Sequence, residues 1–215
     1  MQKKLIIFDL DGTLLDTIDD LYYAVNHALT SFGYPNRTKK EVLSFVGNGY
    51  VPLLEKALPK CICEEQFDKF TKCFKDYYAA HCFDNTKPFG GILPLLKRLK
   101  ENGKTLAVLS NKGDAQVKSL VKRYFGDTFD LSLGERAGIR KKPYPDSIEE
   151  TLKTLGFEKP EAVYIGDSEV DVQTANNAQL DCICVDWGFR TREELKTAGA
   201  SVILSTMQQL KEALL

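Results

Sequence analysis

The sequence has 215 residues, of which 43% are hydrophobic and 27% are charged, and its formal net charge is -1. These values are typical of an ordinary globular chain, with enough apolar residues for one domain or for one domain with an insertion. The small net charge argues against a nucleic-acid-binding or acidic-membrane-binding surface, and no stretch approaches the ~20 apolar residues of a membrane span.

The first predicted element is a buried β-strand that ends in two carboxylates. Leu5-Ile6-Ile7-Phe8 is an unbroken apolar run, which is typical of a strand buried on both faces of a parallel sheet. Asp9 and Asp11 follow two positions apart, so in extended chain they point to the same side, and Gly12 permits a sharp turn. In such a pair, one carboxylate can act as a nucleophile and the other as a proton donor. Carboxylate oxygens are also ligands that suit Mg²⁺. This stretch alone is equally consistent with an acidic turn that has no catalytic role.

The chain from residue 16 to residue 87 is predicted to be helical. Thr17-Ile18-Asp19-Asp20 and Thr38-Lys39-Lys40-Glu41 are each predicted to be a capping box that opens a helix. Gly47-Asn48-Gly49 then breaks the second helix. A helix around Val51 to Leu58 follows, and then a long helix, in which aromatic residues share one face at helical spacing: Phe67, Phe70, Phe74, Tyr77 and Tyr78.

From Pro88 onward, predicted strands and helices alternate. The strands are Thr105–Leu109, Phe129–Leu133, Ala162–Ile165, Cys182–Val185 and Val202–Leu204. Alternation of this kind indicates βα units and a parallel sheet. We therefore predict an α/β fold, in which residues 1–15 and 88–215 form a Rossmann-like core flanked by helices. Residues 16–87 are then an inserted, all-helical cap domain, placed after the carboxylate pair as a lid would be.

Polar residues follow three further stretches of this core. Ser110 and Asn111 end one strand, Lys142 precedes a proline, and Asp167 and Asp171 follow another strand at a helix start. Each also has an ordinary structural explanation. The Ser-Asn pair is typical of a turn or a helix cap, the lysine of a solvated charge, and the two aspartates of acidic residues that interact with a helix dipole. Their combination favours one shared site, because ligands bind at the carboxyl ends of parallel strands.

This combination resembles the haloacid dehalogenase-like phosphatase superfamily over essentially the whole chain. The four motifs of that superfamily are matched in order by Asp9-Leu10-Asp11-Gly12-Thr13, by Ser110 or Asn111, by Lys142, and by Gly166-Asp167 with Asp171. The inserted helices resemble the C1 cap of the superfamily. Within them, Val46-Gly47-Asn48-Gly49 and Lys56-Ala57-Leu58 are similar to the phosphoglycolate phosphatase branch. Lys87-Pro88-Phe89-Gly90-Gly91 departs from that branch, which often has Pro-Tyr-Pro-Gly there.

The resemblance implies a Mg²⁺-dependent phosphate monoester hydrolase that acts through an aspartyl-phosphate. Asp9 would attack phosphorus, and Asp11 would protonate the leaving alcohol and later activate water. Mg²⁺ would be bound by Asp9, Asp167 and the backbone carbonyl of Asp11. Lys142 would neutralise the charge of the phosphate and of Asp9, and Asp171 would orient Lys142 or a metal-bound water. The phosphate would be held by Thr13, Ser110 and Asn111, with backbone amides near Asp11 and Asn111.

The expected substrate is a small phosphorylated metabolite, because the matched branch carries its specificity loop where Gly47, Asn48 and Gly49 lie. A plain helix break explains these glycines equally well. A hexose-phosphate mutase of the β-phosphoglucomutase type usually has a His soon after the first motif, where this chain has Asp19 and Asp20. A pyrophosphatase shares the core chemistry and stays open. A non-catalytic binding module on this fold would have lost core residues that this chain retains: Asp9, Asp11, Lys142 and Asp167.

The remaining expectations concern cysteines, location and assembly. Cys61-x-Cys63 and Cys182-x-Cys184 lack the CxxC spacing of zinc and redox sites, and Cys182-x-Cys184 lies in an apolar run typical of a buried strand. Because the apolar run before Asp9 is too short for a secretory signal, we expect a cytoplasmic protein with reduced thiols. We expect a monomer or a dimer, with no nucleic-acid or membrane partner.

Overall fold

The structure is a computed structural model that describes residues 3–59 and 62–215. Cys61, and with it the Cys61-x-Cys63 pattern, lies outside the described residues. The chain divides into two compact units, one of Met1–Leu15 with Pro88–Leu215 and one of Asp16–Lys87.

The first unit is built on a parallel sheet. Within the described residues, the strands are β1 (Leu5–Phe8), β2 (Leu15–Asp16), β3 (Lys87–Pro88), β4 (Thr105–Gly113), β5 (Leu131–Glu135), β6 (Ala162–Gly166), β7 (Asp181–Val185) and β8 (Ile203–Leu204). Six of these described strands pair in the order β5-β4-β1-β6-β7-β8, and their pairings are parallel. β2 and β3 form a separate two-stranded sheet where the chain passes from one unit to the other. The α/β prediction is confirmed.

Helices flank this sheet, and the second unit is helical. In chain order, the described helices are α1 (Ile18–Ser31), α2 (Lys39–Phe45), α3 (Tyr50–Ala57), α4 (Glu64–His81), α5 (Ile92–Glu101), α6 (Asp114–Phe125), α7 (Asp146–Leu155), α8 (Glu169–Ala178), α9 (Arg192–Thr197) and α10 (Met207–Leu214). The core between sheet and helices is apolar: Ile7 of β1, Tyr164 of β6, Ile148 of α7 and Ala175 of α8 belong to one buried cluster. Among the described residues, none of the helices has the length and apolar character needed to cross a bilayer.

The register of β1 sets the position of the polar strand ends. All four residues of β1 are fully buried, which explains the unbroken apolar run. Phe8 lies opposite Val108 of β4 on one side and Ile165 of β6 on the other. Because all three strands run in the same direction, the residues that follow them meet at one edge of the sheet.

Local signals in the sequence identified most elements but not all of their ends. The capping box at Thr38 is confirmed, since Thr38 Oγ1 accepts from the Glu41 amide at 3.3 Å and Glu41 Oε2 accepts from the Thr38 amide at 2.7 Å. The predicted capping box at Thr17 is wrong: Thr17 precedes α1 but makes no side-chain capping bond. The carboxylate of Asp20, its expected partner, instead accepts hydrogen bonds from residues 85 and 86.

Candidate active site

The site is a group of buried charged side chains at the carboxyl edge of the sheet. Asp9 follows β1, Asp167 follows β6, and Lys142 lies on the connection between β5 and α7. Asp9, Lys142, Asp167 and Asp171 are 7%, 4%, 1% and 0% exposed. Burying charges is costly unless they are paired and hydrogen-bonded, so this arrangement indicates a function.

Lys142 lies at the centre of the charged group. Its Nζ is 2.8 Å from Asp9 Oδ1 and 2.8 Å from Asp171 Oδ1, and it donates to the Tyr164 hydroxyl at 3.0 Å. The Asn111 side chain holds the backbone of the same lysine, because its Oδ1 accepts from the Lys142 amide at 2.8 Å and its Nδ2 donates to the Lys142 carbonyl at 3.0 Å. Lys142 is thus fixed at both its backbone and its ammonium group.

Asp171 is occupied by donors from its own helix start. Its Oδ2 accepts from the Asp167 amide at 3.2 Å, from the Ser168 amide at 3.0 Å and from the Ser168 hydroxyl at 2.6 Å. Its Oδ1 accepts from Lys142 and, at 3.1 Å, from the Tyr164 hydroxyl. These bonds fully engage the carboxylate, so Asp171 is suited to orienting its neighbours and poorly suited to binding a ligand itself.

Two loops close around Asp167. Its Oδ1 accepts from the Thr13 hydroxyl at 2.9 Å and its Oδ2 accepts from the Phe189 amide at 2.7 Å. The Trp187 indole donates to the Thr13 carbonyl at 3.3 Å, which joins the loop after β1 to the loop after β7. Gly12 has a φ of +88°, and a Cβ there would lie 2.2 Å from Asp167 Oδ2. Only glycine therefore permits this close approach of backbone and carboxylate.

Asp11 is paired with a lysine that was not predicted from the sequence. Lys112 Nζ lies 3.2 Å from Asp11 Oδ1, and the two side chains are only 8% and 13% exposed. The Lys112 amide also donates to Ser110 Oγ at 3.2 Å, so Lys112, near the end of β4, contacts two expected site residues, Asp11 and Ser110.

Burial and crowding of carboxylates shift the ionisation of the site. Burial raises the pKa of Asp9 well above its ordinary value, the charges of Asp171 and Asp167 add to this, and Lys142 opposes it. Burial and then Asp171 raise the pKa of Asp167 to about 7, against the hydrogen bonds from Phe189 and Thr13. Burial alone would lower the pKa of Lys142, but the charges of Asp171 and Asp9 outweigh it and raise this pKa above its usual range.

The donor set fits a hard divalent cation. Carboxylate oxygens of Asp9, Asp167 and Asp171 lie within 4.8 Å of one another. Asp9 Oδ1 is buried and accepts no well-oriented hydrogen bond, although it is ion-paired with Lys142. The two oxygens of Asp171 accept two and three hydrogen bonds, whereas each oxygen of Asp167 accepts one and keeps a free lone pair. Asp9 and Asp167 are therefore the two carboxylates best placed to hold a metal. Oxygen donors of this kind suit Mg²⁺, and a cation there would offset the mutual repulsion of the carboxylates.

All eight residues assigned to the core site from the sequence lie in the first unit. They are Asp9, Asp11, Thr13, Ser110, Asn111, Lys142, Asp167 and Asp171. Gly47, Asn48 and Gly49 belong to the second unit, between α2 and α3, where Gly49 directly precedes α3. Lys112, Tyr164 and Phe189 were not predicted from the sequence. The sequence shows that Lys112 follows Ser110-Asn111 but not where its side chain is directed, and Phe189 acts through its backbone amide, which has no sequence signal.

Comparisons with known proteins identify the family of the chain. The family described as haloacid dehalogenase-like hydrolase matches residues 6–185. A phosphoglycolate phosphatase of Psychrobacter arcticus is 31% identical, over 100% of this chain and 97% of the relative. One of Aquifex aeolicus is 32% identical, over 86% of each chain.

Solved structures of related proteins have the same fold. A crystal structure from Lactobacillus delbrueckii, provisionally described as a phosphoglycolate phosphatase, superposes with a TM-score of 0.95 at 40% identity, covering 100% of this chain and 99% of that one. CbbY of Rhodobacter sphaeroides, solved in complex with phosphate, gives a TM-score of 0.80 at 25% identity, covering 97% and 96%. The chain therefore belongs to the haloacid dehalogenase-like hydrolase family, and within that family it is an enzyme of the phosphatase type.

Proposed function

We propose that the chain hydrolyses a small phosphate monoester, of the phosphoglycolate kind, with Mg²⁺ and through an aspartyl-phosphate on Asp9. The observation that carries this proposal is the arrangement around Asp9. Its carboxylate lies 2.8 Å from the Lys142 ammonium and beside the carboxylate of Asp167. A buried nucleophile held against a fixed cation is suited to attack on an electrophile that is itself anionic.

The first half-reaction forms the phosphoenzyme. A carboxylate oxygen of Asp9 bonds to phosphorus while the bond from phosphorus to the ester oxygen breaks. Asp11 gives its proton to that oxygen, so it leaves as a neutral hydroxyl group of the product. Lys142 stays protonated and offsets the negative charge of the phosphoryl group.

The second half-reaction regenerates Asp9. Asp11, now ionised, takes a proton from water, the water oxygen attacks phosphorus, and the bond to Asp9 breaks. Mg²⁺ held by Asp9, Asp167 and the Asp11 carbonyl would supply charge neutralisation between the anionic nucleophile and the anionic substrate. Asp171 and Asn111 hold Lys142 in place, and the Thr13 hydroxyl donates to Asp167. We therefore propose that Ser110, with backbone amides of the loops after β1 and at the end of β4, contacts the phosphoryl oxygens.

The substrate assignment rests on different support. Several relatives at about 30% identity carry the name phosphoglycolate phosphatase, and their matches span nearly the whole chain. We propose that Asp16–Lys87 acts as the cap that selects the substrate, with Gly47, Asn48 and Gly49 in its specificity loop. A mutase or pyrophosphatase of the same family would use the same core residues, so substrate profiling separates these candidates.

The test is phosphate release from a panel of esters in the presence of Mg²⁺. The panel contains phosphoglycolate, hexose and pentose phosphates, nucleotides and pyrophosphate. We expect one small acid phosphate to be preferred, and Asp9→Asn to lower kcat by at least ~10³-fold because the nucleophile is gone. Circular dichroism checks that the Asp9→Asn variant is folded.

The matched control is Asp127→Asn, which removes a surface carboxylate that pairs with Lys122 and is 92% exposed. It should leave turnover unchanged. Full activity of Asp9→Asn would exclude the aspartyl-phosphate route. Broad and weak turnover of the whole panel would be consistent with the proposed chemistry at Asp9 but would contradict the assignment of Asp16–Lys87 as a cap that selects one substrate.

A further inference from the structure

We propose that Lys112 is a positioning residue for Asp11. Its ammonium group holds the carboxyl that passes a proton to the leaving alcohol. The inference rests on the proposed function, in which Asp11 is the proton donor.

The contact between Lys112 and Asp11 is an ion pair that is largely shielded from solvent, with Asp11 13% exposed. Nζ lies 3.2 Å from Oδ1, and the Lys112 side chain is 8% exposed. Lys118, a few residues further on, pairs with Asp114 at 2.6 Å but is 61% exposed. Exposed pairs of that kind contribute little, whereas removing one partner of a buried pair leaves an uncompensated charge. A lysine that is shielded from solvent and paired with one carboxylate therefore indicates that this carboxylate must be held in place.

The local backbone places Lys112 at this position. The pairing of β4 with β5 shifts register between Leu109 and Gly113, so Lys112 lies on an irregular stretch of strand. Such irregularities re-aim side chains beside active sites. The Lys112 amide donates to Ser110 Oγ at 3.2 Å, which fixes the lysine backbone against a second site residue.

The pair has a direct consequence for proton transfer. A carboxyl group rotates about its side-chain torsions unless neighbours hold it. The ammonium group beside Oδ1 fixes the plane of the Asp11 carboxyl whether that group is ionised or protonated, and it therefore fixes the direction of Oδ2, the oxygen that carries the proton. A proton donor works only within hydrogen-bond reach of the leaving oxygen, and small losses of orientation are expensive in rate.

The expected signature is a dependence on the leaving group. The alcohol released from phosphoglycolate needs a proton as the bond from phosphorus to oxygen breaks, whereas p-nitrophenolate leaves without one. We expect Lys112→Met to lower kcat/KM for phosphoglycolate by about 10- to 100-fold and for p-nitrophenyl phosphate by only a few-fold. The ratio kcat/KM reports the steps up to phosphoenzyme formation, which is where the alcohol leaves.

Three variants make the signature specific. Lys112→Arg keeps a cation within reach of Asp11 and should restore most of the lost rate with phosphoglycolate. Lys118→Met removes a nearby surface lysine and should change neither substrate. In an Asp11→Asn background, adding Lys112→Met should cause little further loss, because the carboxyl that the lysine holds is already gone.

The outcomes separate this inference from the proposed function. Equal losses on both substrates, or losses that add to those of Asp11→Asn, would overturn the role of Lys112. An increase in KM alone would overturn it too, and would make Lys112 a substrate contact. A wild-type protein that hydrolyses no ester would overturn the proposed function and this inference together. If Lys112→Met does not fold, the same substrate ratio measured with Lys112→Gln decides.

Discussion

At the scale of single residues, the site depends on how closely the backbone approaches Asp167. Gly12 turns the chain with a positive φ and leaves room for the Asp167 carboxylate. Gly188 makes a second close approach, since a Cβ there would lie 2.4 Å from Asp167 Oδ2. These two glycines let the loops after β1 and β7 enclose one carboxylate without displacing it.

Gly12→Ala should disable the proposed Mg²⁺ site and not merely destabilise the fold. The new Cβ would overlap Asp167 Oδ2, so the carboxylate or the loop must move. We expect the variant to lose most phosphatase activity and to lose stabilisation by Mg²⁺. The measurements are phosphate release and the unfolding temperature with and without Mg²⁺.

Gly138→Ala is the matched control for this variant. Gly138 belongs to the same unit and has a φ of +82°, but a Cβ there would meet nothing within 4 Å. It should cost about 1 kcal/mol of stability from backbone strain alone, while activity and the Mg²⁺ response stay intact. Equal behaviour of the two alanine variants would show that strain, and not the clash with Asp167, causes the effect of Gly12→Ala.

At the scale of elements, the apolar patterns in the sequence were sufficient for most strands and helices. The run Leu5–Phe8 predicted a central strand because a strand that is buried on both faces is apolar at every position and does not alternate with polar residues. The strand predicted at Phe129–Leu133 is observed at Leu131–Glu135. α9 was missed because it has six residues and Leu195 is the one buried among them, too little for a periodic signal.

The failed prediction of a capping box at Thr17 shows how hydrogen bonds to a distant segment can override a local sequence signal. Asp20 is 2% exposed, and its Oδ1 accepts from the amide and side chain of Asn85, both at 2.9 Å. Its Oδ2 accepts from the Thr86 amide at 2.9 Å and the Thr86 hydroxyl at 2.7 Å. The carboxylate thus joins the start of α1 to the segment after α4, across 65 residues of chain.

Asp20→Ala should therefore destabilise the second unit. Losing the carboxylate leaves donors of Asn85 and of the buried Thr86 without this acceptor, and we expect a loss of about 2–4 kcal/mol in the free energy of unfolding. Urea denaturation followed by circular dichroism measures this loss. The neighbouring Asp19→Ala removes an exposed pair with Lys39 and should change stability by less than ~1 kcal/mol. Similar losses for both variants would contradict the anchoring role of Asp20.

At the scale of the whole molecule, the order of strands explains why so much of the site could be predicted. A parallel sheet brings the ends of β1, β4 and β6 to one edge, so polar residues that follow those strands in the sequence identify the site. Lys112 and the loop after β7 escaped prediction for physical reasons. The side chain of Lys112 is directed by an irregular stretch of strand, and Phe189 contributes a backbone amide, which every residue other than proline carries.

Mg²⁺ should stabilise the folded protein through the same edge of the sheet. Asp9 and Asp167 are held close together and buried in the folded chain, whereas in an unfolded chain they are separate and solvated, so the metal binds the folded state preferentially. At ten times its Kd, a ligand of this kind adds about 1.4 kcal/mol, which corresponds to a rise of roughly 3–5 °C in Tm. Differential scanning calorimetry in Mg²⁺ and in excess EDTA measures that rise. Asp167→Asn should abolish it, while Asp181→Asn, which removes a 73%-exposed carboxylate paired with Lys3, should keep it. A rise that persists in Asp167→Asn would place the stabilising Mg²⁺ elsewhere on the molecule and would remove the metal from the proposed mechanism.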